Sequence, residues 1–283
     1  IIDDEEIKTS LAAEHPYRTW VDEGITRLQD LPEVRYEYMS HERVVLRQRV
    51  FGFTEEELRI LLTPMAASAA EAIGSMGTDT PLPVLSGRSR LLFDYFAQRF
   101  AQVTNPPLDA IREELVTSYG VVLGPEGDLI NPGPDSCRQV RLDNPILSNS
   151  ELTTLLAAGD SRPGLQSVVV SGLYNVAHGG DGLRVALSRI RREVSDAISA
   201  GASIVVLSDR ESDERNAPIP SLLLTSAVHQ HLVREKTRTR VGLVIEAGDA
   251  REVHHMAVLF GYGAEAINPY MAFESIDELV KTG

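Results

Sequence analysis

The chain has 283 residues, 43% of them hydrophobic and 24% charged, enough for one large domain or two small ones around a sizeable buried core. Acidic residues number 41 against 27 lysines and arginines, a formal charge of −14, and such a surface repels phosphate backbones, which argues against nucleic-acid binding. No run approaches the roughly 18 apolar residues of a membrane span, and the single cysteine, Cys137, cannot supply an internal disulfide, an iron–sulfur cluster or a structural zinc site. The opening IIDDEEIKTS lacks the basic and apolar regions of a secretory leader, so the cytoplasm is the expected compartment. Isoleucine in place of an initiator methionine points to a chain processed or cut from something larger.

Residues 1–118 read as mostly helical, 119–164 as turn-rich with short strands, and 165–283 as a β/α repeat, together one compact domain. Residues 5–15 predict a helix stopped by Pro16, and 17–28 a second. Thr54 with Glu57 forms a capping-box pattern ahead of Leu58, Leu61 and Leu62 at helical spacing. Pro64 should break or kink that helix before it resumes over 66–73. GSMGTDTP then reads as a turn, and 89–103 as a helix with Phe93, Phe96 and Phe100 along one side.

The stretch FAQVTNPPLDAIREEL interrupts two helical patterns with Thr104-Asn105-Pro106-Pro107. Each proline biases the residue before it toward extended backbone, so the junction keeps a fixed shape with little unfolded-state entropy to lose. Beyond it, GPEGDLINPGPDSC predicts short strands with a hairpin near 124–128, and a short helix starts at 150.

From 165 the rhythm changes. QSVVVSG (166–172), SIVVLSD (203–209), VGLVIEA (241–247) and AEAIN (264–268) are short apolar runs, followed by helical patterns over 182–200, 220–236, 249–260 and 273–281. Four such units predict a parallel sheet buried on both faces, with right-handed crossovers. They make half of a (β/α)8 barrel or most of an open doubly wound sheet, and periodicity does not choose between these. LYNVAHGGDG after the first run lacks the dinucleotide fingerprint, and Gly261-Tyr262-Gly263 precedes a strand instead of following one.

In parallel α/β folds the working groups sit at the carboxyl ends of strands. Those positions hold Ser171, Ser208-Asp209-Arg210, Glu246 and Asn268. Asp209, Arg210 and Glu246 fit acid–base chemistry with Arg210 holding an anion, or a salt-bridged network where strands meet solvent. The absence of His or Lys from a strand-end position favours the network. His254 and His255 are neighbours on a helix, about 100° apart, and His229 and His231 also face differently, so neither pair converges on a metal. Cys137 has no readable base partner and is expected to be inert, and Ser86 and Ser171 lack the nucleophile-elbow frame.

Several long strings resemble one family: GFTEEELRILLTPMA, EAIGSMGTDTPLPVLS, LLFDYFAQRFAQVTNPPLDAIREELV, NPILSNSEL, LSDRESDERNAPIPSLLLTSAVHQHLV and EAGDAREVHHMAVLFGYGAEAINPY. Together they cover most of residues 50–270 and resemble the central domain of the glutamate synthase large subunit. The resemblance implies an α/β fold, an incomplete (β/α)8 TIM-barrel-like parallel sheet with a helical N-terminal part. It implies a parent enzyme in which a glutaminase domain releases ammonia, a tunnel carries it, and an FMN-binding barrel with a 3Fe-4S cluster makes glutamate from 2-oxoglutarate.

On that resemblance this chain binds no cofactor and catalyses nothing by itself. It joins the glutaminase and FMN-binding domains of the same polypeptide and walls part of the tunnel. A small NADPH-oxidising subunit or ferredoxin is the implied outside partner of the parent. Met76, Thr104 and Asn105 match tunnel-lining positions. A hydroxyl and an amide are weak partners that ammonia can touch and leave, whereas a carboxylate would favour ammonium, and a thioether between Gly74-Ser75 and Gly77 is a plausible gate. The plainer alternative is that Asn105 caps a helix with Pro106 at its first position and Met76 fills a core gap. The competing function is a stand-alone β/α-barrel enzyme working through Asp209, Arg210 and Glu246.

Overall fold

The computed structural model describes residues 2–70, 82–97, 107–128 and 130–282. Nine strands follow in chain order: β1 (Thr26–Arg27), β2 (Val121–Leu123), β3 (Val140–Leu142), β4 (Ser167–Ser171), β5 (Leu173–Asn175), β6 (Ile204–Ser208), β7 (Asn216–Pro218), β8 (Gly242–Glu246) and β9 (Ala266–Asn268). The four predicted apolar runs are β4, β6, β8 and β9. They form one parallel sheet in the order β4-β6-β8-β9.

Both faces of this sheet are covered, which is why its strands read as unbroken apolar runs. Val170, Val205, Leu207, Leu243, Ile245 and Ile267 share one core with residues of the helices Gly179–Ser199, Ser221–Arg234 and Val253–Gly261. In the first of these helices Gly182, Ala186, Ile190 and Val194 recur every four residues and are all buried. On the opposite face Ile204, Val206, Val244 and Ala266 pack against Leu123, Val140, Leu142, Leu152 and Leu155. These come from a small sheet, β1-β3-β2, and from the helix Asn149–Leu156, which opens on a capping box between Ser148 and Glu151.

The sheet stays open. β9 is flanked by Pro145 to Leu147, with Leu147 N donating to Ile267 O at 2.8 Å and Ile267 N to Pro145 O at 2.8 Å. Among the described residues no closed barrel forms, and the architecture is the incomplete, barrel-like one expected.

Several local expectations need correction. The second helix ends at Gly24, because residues 26–27 leave it to pair with β3. The helix His41–Val50 was not anticipated; its sequence is charged on most faces and buries only Val44. Pro64 does not break its helix. Residues Leu58–Leu62 widen into a π turn, Thr63 N donates to Leu58 O, and the helix continues to Ser68. The wider turn absorbs the clash that proline imposes on an α-helix. The helix expected over 89–103 is, among the described residues, a short 3-10 segment at Leu92–Phe96, with Phe93 buried and Phe96 largely exposed. The hairpin near 124–128 is instead the antiparallel pair β2–β3, joined by a long connection. β5 and β7, an antiparallel pair beyond the ends of β4 and β6, were not foreseen.

Candidate functional site

The carboxyl ends of β6 and β8 meet by register, with Ser208 opposite Glu246. Parallel pairing therefore places Asp209, Arg210 and Glu246 together, as the sequence predicted. Arg210 Nε donates to Glu246 Oε1 at 2.5 Å, and the Ser208 hydroxyl donates to Glu246 Oε2. The Asp209 carboxyl lies beneath them and accepts the Gly248 N–H at 3.0 Å on both oxygens.

What covers these groups comes from far away in the chain. Arg210 Nη1 donates to the Tyr36 hydroxyl at 2.9 Å, and Tyr36 donates in turn to Glu274. The guanidinium lies 4.2 Å from the Tyr270 ring centroid, within cation–π range. Phe51 meets Tyr270 edge-on at 6.1 Å. It also sits directly on Gly248, where an added Cβ would stand 2.3 Å from the ring. Arg251, 4% exposed, donates to Phe51 O and Gly52 O at 3.0 and 3.3 Å and pairs with Glu57 at 3.2 Å. The place where parallel sheets open to substrate is thus filled by the protein's own side chains.

The remaining predicted positions scatter. Asn268 is fully buried and donates from Nδ2 to Leu147 O and Asn149 Oδ1, fastening the flank of β9. Ser171 lies apart, on a groove of about 810 Å³ lined also by Leu173, Tyr174, Asn175, His178 and Arg189. His229 accepts from Arg238 and His231 meets Ser195, so that pair diverges. His254 contacts Phe93 O, and His255 stacks on the Phe93 ring at 4.4 Å. Burial, with Arg251 nearby, pushes His255 down to about 3. Cys137 is half-buried. Met76, Thr104 and Asn105 lie outside the described residues.

Sequence reasoning missed Tyr36, Asp249, Arg251, Tyr270 and Glu274. Of these, Asp249 carried a signal, three residues beyond the strand-end Glu246. Its Oδ2 accepts the Ser221 N–H at 3.1 Å. Its Oδ1, Ser221 Oγ and Arg251 Nε are buried without a hydrogen-bond partner among the described residues. The Tyr270 hydroxyl lies beside the Asp209 carboxyl but out of good hydrogen-bond geometry.

Burial raises the Asp209 carboxyl well above its ordinary range, and the neighbouring Asp249 adds to the push. Burial raises Asp249 as well, against the pull of Ser221 and Arg251. Burial alone would lower Arg210, but Glu246 and Tyr36 outweigh it and hold the guanidinium charged.

Two expectations follow for stability. The folded state holds carboxyl protons that the unfolded chain releases above pH about 4. The raised groups therefore stabilise fully below that pH and lose their contribution as pH rises through the folded values. In urea titrations, wild type should lose stability relative to Asp249→Asn as pH is raised from 4.5 to 8, while His255 affects both proteins alike. Parallel pH profiles would show that folding does not raise the Asp249 carboxyl. Second, Arg210→Met should cost about 3–5 kcal/mol, because it strands Glu246 as a buried charge. Adding Glu246→Gln should recover part of that loss, and additive costs in the double-mutant cycle would mean the two residues are not coupled.

Among the described residues no group of three His, Cys, Asp or Glu side chains could hold a metal ion, and no helix is long and apolar enough to cross a membrane. A family model, the glutamate synthase central domain, matches residues 46–283. The NADPH glutamate synthase large chain of Bacillus subtilis is 44% identical over 283 residues, all of this chain and 18% of that protein. The NADH glutamate synthase of Schizosaccharomyces pombe is 38% identical over 291 residues, 99% of this chain and 14% of that protein. Ferredoxin-dependent glutamate synthase 2 of Synechocystis is 38% identical over 281 residues, 98% of this chain and 18% of that protein. The chain therefore spans less than a fifth of the length of these relatives. With a family model over most of its residues and such identity along its whole length, the chain belongs to the glutamate synthase central domain family.

Proposed function

We propose that this chain is the central interdomain module of a glutamate synthase, linking a glutaminase domain to an FMN-binding domain and walling part of the ammonia path between them. The observation that carries this reading is the sealed strand end. A stand-alone enzyme acting through Asp209, Arg210 and Glu246 needs those groups open to substrate. Here Arg210 and Glu246 neutralise each other, Asp209 is buried against the Gly248 N–H, and Tyr36, Phe51 and Tyr270 cover the group.

The parent reaction, glutamine plus 2-oxoglutarate plus reductant to two glutamates, belongs on this reading to the remainder of a longer cytoplasmic polypeptide. The FMN and 3Fe-4S cluster of such a parent do not fit this chain. One cysteine cannot ligate three irons, and the strand ends that would face a flavin are filled. No chemical step is assigned to these residues. The relatives are named for NADPH, NADH and ferredoxin, so the family alone does not select the electron donor. The organisation proposed is a helical part over 1–118, a turn-rich segment over 119–164 and a β/α half over 165–283, packed as one unit. Met76, Thr104 and Asn105 are the proposed tunnel-lining residues, on the match to the family's positions.

The test uses the native polypeptide. An immunoblot of a cell extract should show a band several times larger than 31.0 kDa. In that protein Met76→Trp should lower glutamine-dependent glutamate formation by roughly tenfold, about 1.4 kcal/mol, and spare the ammonia-dependent reaction. A band at the chain's own size overturns the module reading. Equal loss of both activities, or of neither, removes Met76 from the tunnel.

A further inference from the structure

The two edges of the parallel sheet are treated differently. Beside β9, residues 145–147 pair with Ile267 and Asn268 ties down Leu147. Beside β4 no strand is paired among the described residues. The direction of its open bonds follows from the pairing with β6. Ile204 N donates to Gln166 O and Gly172 N donates to Ser208 O. In a parallel ladder alternate residues of a strand bond to the same neighbour, so residues 166, 168, 170 and 172 face β6, while Ser167, Val169 and Ser171 turn their N–H and C=O groups outward. Arg189 occupies the far end, donating to Ser171 O and Leu173 O at 3.4 and 3.3 Å. That leaves the N–H and C=O of Ser167 and Val169 and the Ser171 N–H without a partner among the described residues.

An edge that stays in solvent is ordinarily blunted by charge, proline or a bulge. β4 reads Ser-Val-Val-Val-Ser, has none of these, and leaves Val169 50% exposed. The groove of about 810 Å³ continues from its carboxyl end, walled on the helix side by Val185 and Ala186 and on the other by Leu173 and Tyr174. Backbone groups that call for a ladder partner thus run into a trough with apolar walls, lined also by His178, Asp181 and Arg189, able to seat side chains.

We infer that the outer edge of β4 receives an extended, uncharged, β-branched or aromatic segment from elsewhere in the same longer polypeptide, added to the sheet as a further strand. This rests on the module reading above. The relatives supply the length, since more than four-fifths of the Bacillus polypeptide lies outside the matched part. A second copy of this chain is the poorer occupant, because two bodies of formal charge −14 repel.

Hydrogen exchange tests this in the native full-length polypeptide and in the 283-residue chain. The Val169 and Ser171 amides should exchange at least about a hundredfold more slowly in the full-length protein. Val169→Pro removes only an outward N–H, so the pairing of β4 with β6 should survive in the short chain with an unchanged melting temperature. In the full-length protein the same substitution should abolish the added protection at Ser171. Equal, fast exchange in both forms of a polypeptide already shown to be large overturns the added strand and leaves the module reading standing. Protection that persists in Val169→Pro means a domain merely covers the edge, which also overturns it. Protection in the short chain that rises with concentration, together with a dimer in sedimentation, assigns the edge to a second copy instead. A native polypeptide of 31.0 kDa removes the donor and overturns both readings.

Discussion

Arg210 is a cation that has lost most of its water and must be compensated where it stands. Glu246 supplies the charge, Tyr36 a hydroxyl oxygen and Tyr270 the negative face of a ring. Those three partners come from the end of β8, the N-terminal part and the C-terminal helix. One guanidinium therefore decides how three distant parts of the chain meet, and the meeting point is the mouth of the sheet. Around it Arg251 repeats the arrangement on the backbone of Phe51 and Gly52. The fold spends its buried charges on holding a lid shut, in the position where related architectures keep an opening.

A sheet sealed at its strand ends, covered on both faces and flanked at β9 by residues 145–147 has, among the described residues, only its β4 edge left for contacts. Such a body suits the interdomain role proposed above. Its stiffness comes from the doubly covered β6 and β8, which are buried at every residue.

The second half of the molecule was legible because each strand is a continuous apolar run and each helix has a clear period. Register then brought Ser208 and Glu246 opposite each other, so the Arg210–Glu246 pair was within reach of sequence reasoning. The lid was not. Tyr36 and Glu274 are 238 positions apart and Arg251 and Phe51 are 200 apart, and nothing local to either marks the other. His41–Val50 was missed for a related reason: it is helical but mostly polar, and its Val44 gains meaning only against Tyr270 and Met271. The π turn before Pro64 was hidden because proline reads as a stop, while the extra residue that accommodates it leaves no compositional mark. The resemblance named the family from long strings, and long strings of that kind do not disclose which side chains touch.

The long reach of the Tyr36–Glu274 bond also bears on how the molecule is made. A ribosome adds about 5–20 residues per second, so a separation of 238 residues is a wait of roughly ten to fifty seconds. During that interval Tyr36 and Phe51 have been synthesised while the strand ends and the helix Tyr270–Thr282 do not yet exist. The N-terminal part must wait without the partners that bury it, and the helix Asp4–Ala13, with Asp4, Glu5 and Glu6 in its first turn and no buried residue, gives the waiting segment exposed negative charge that opposes association.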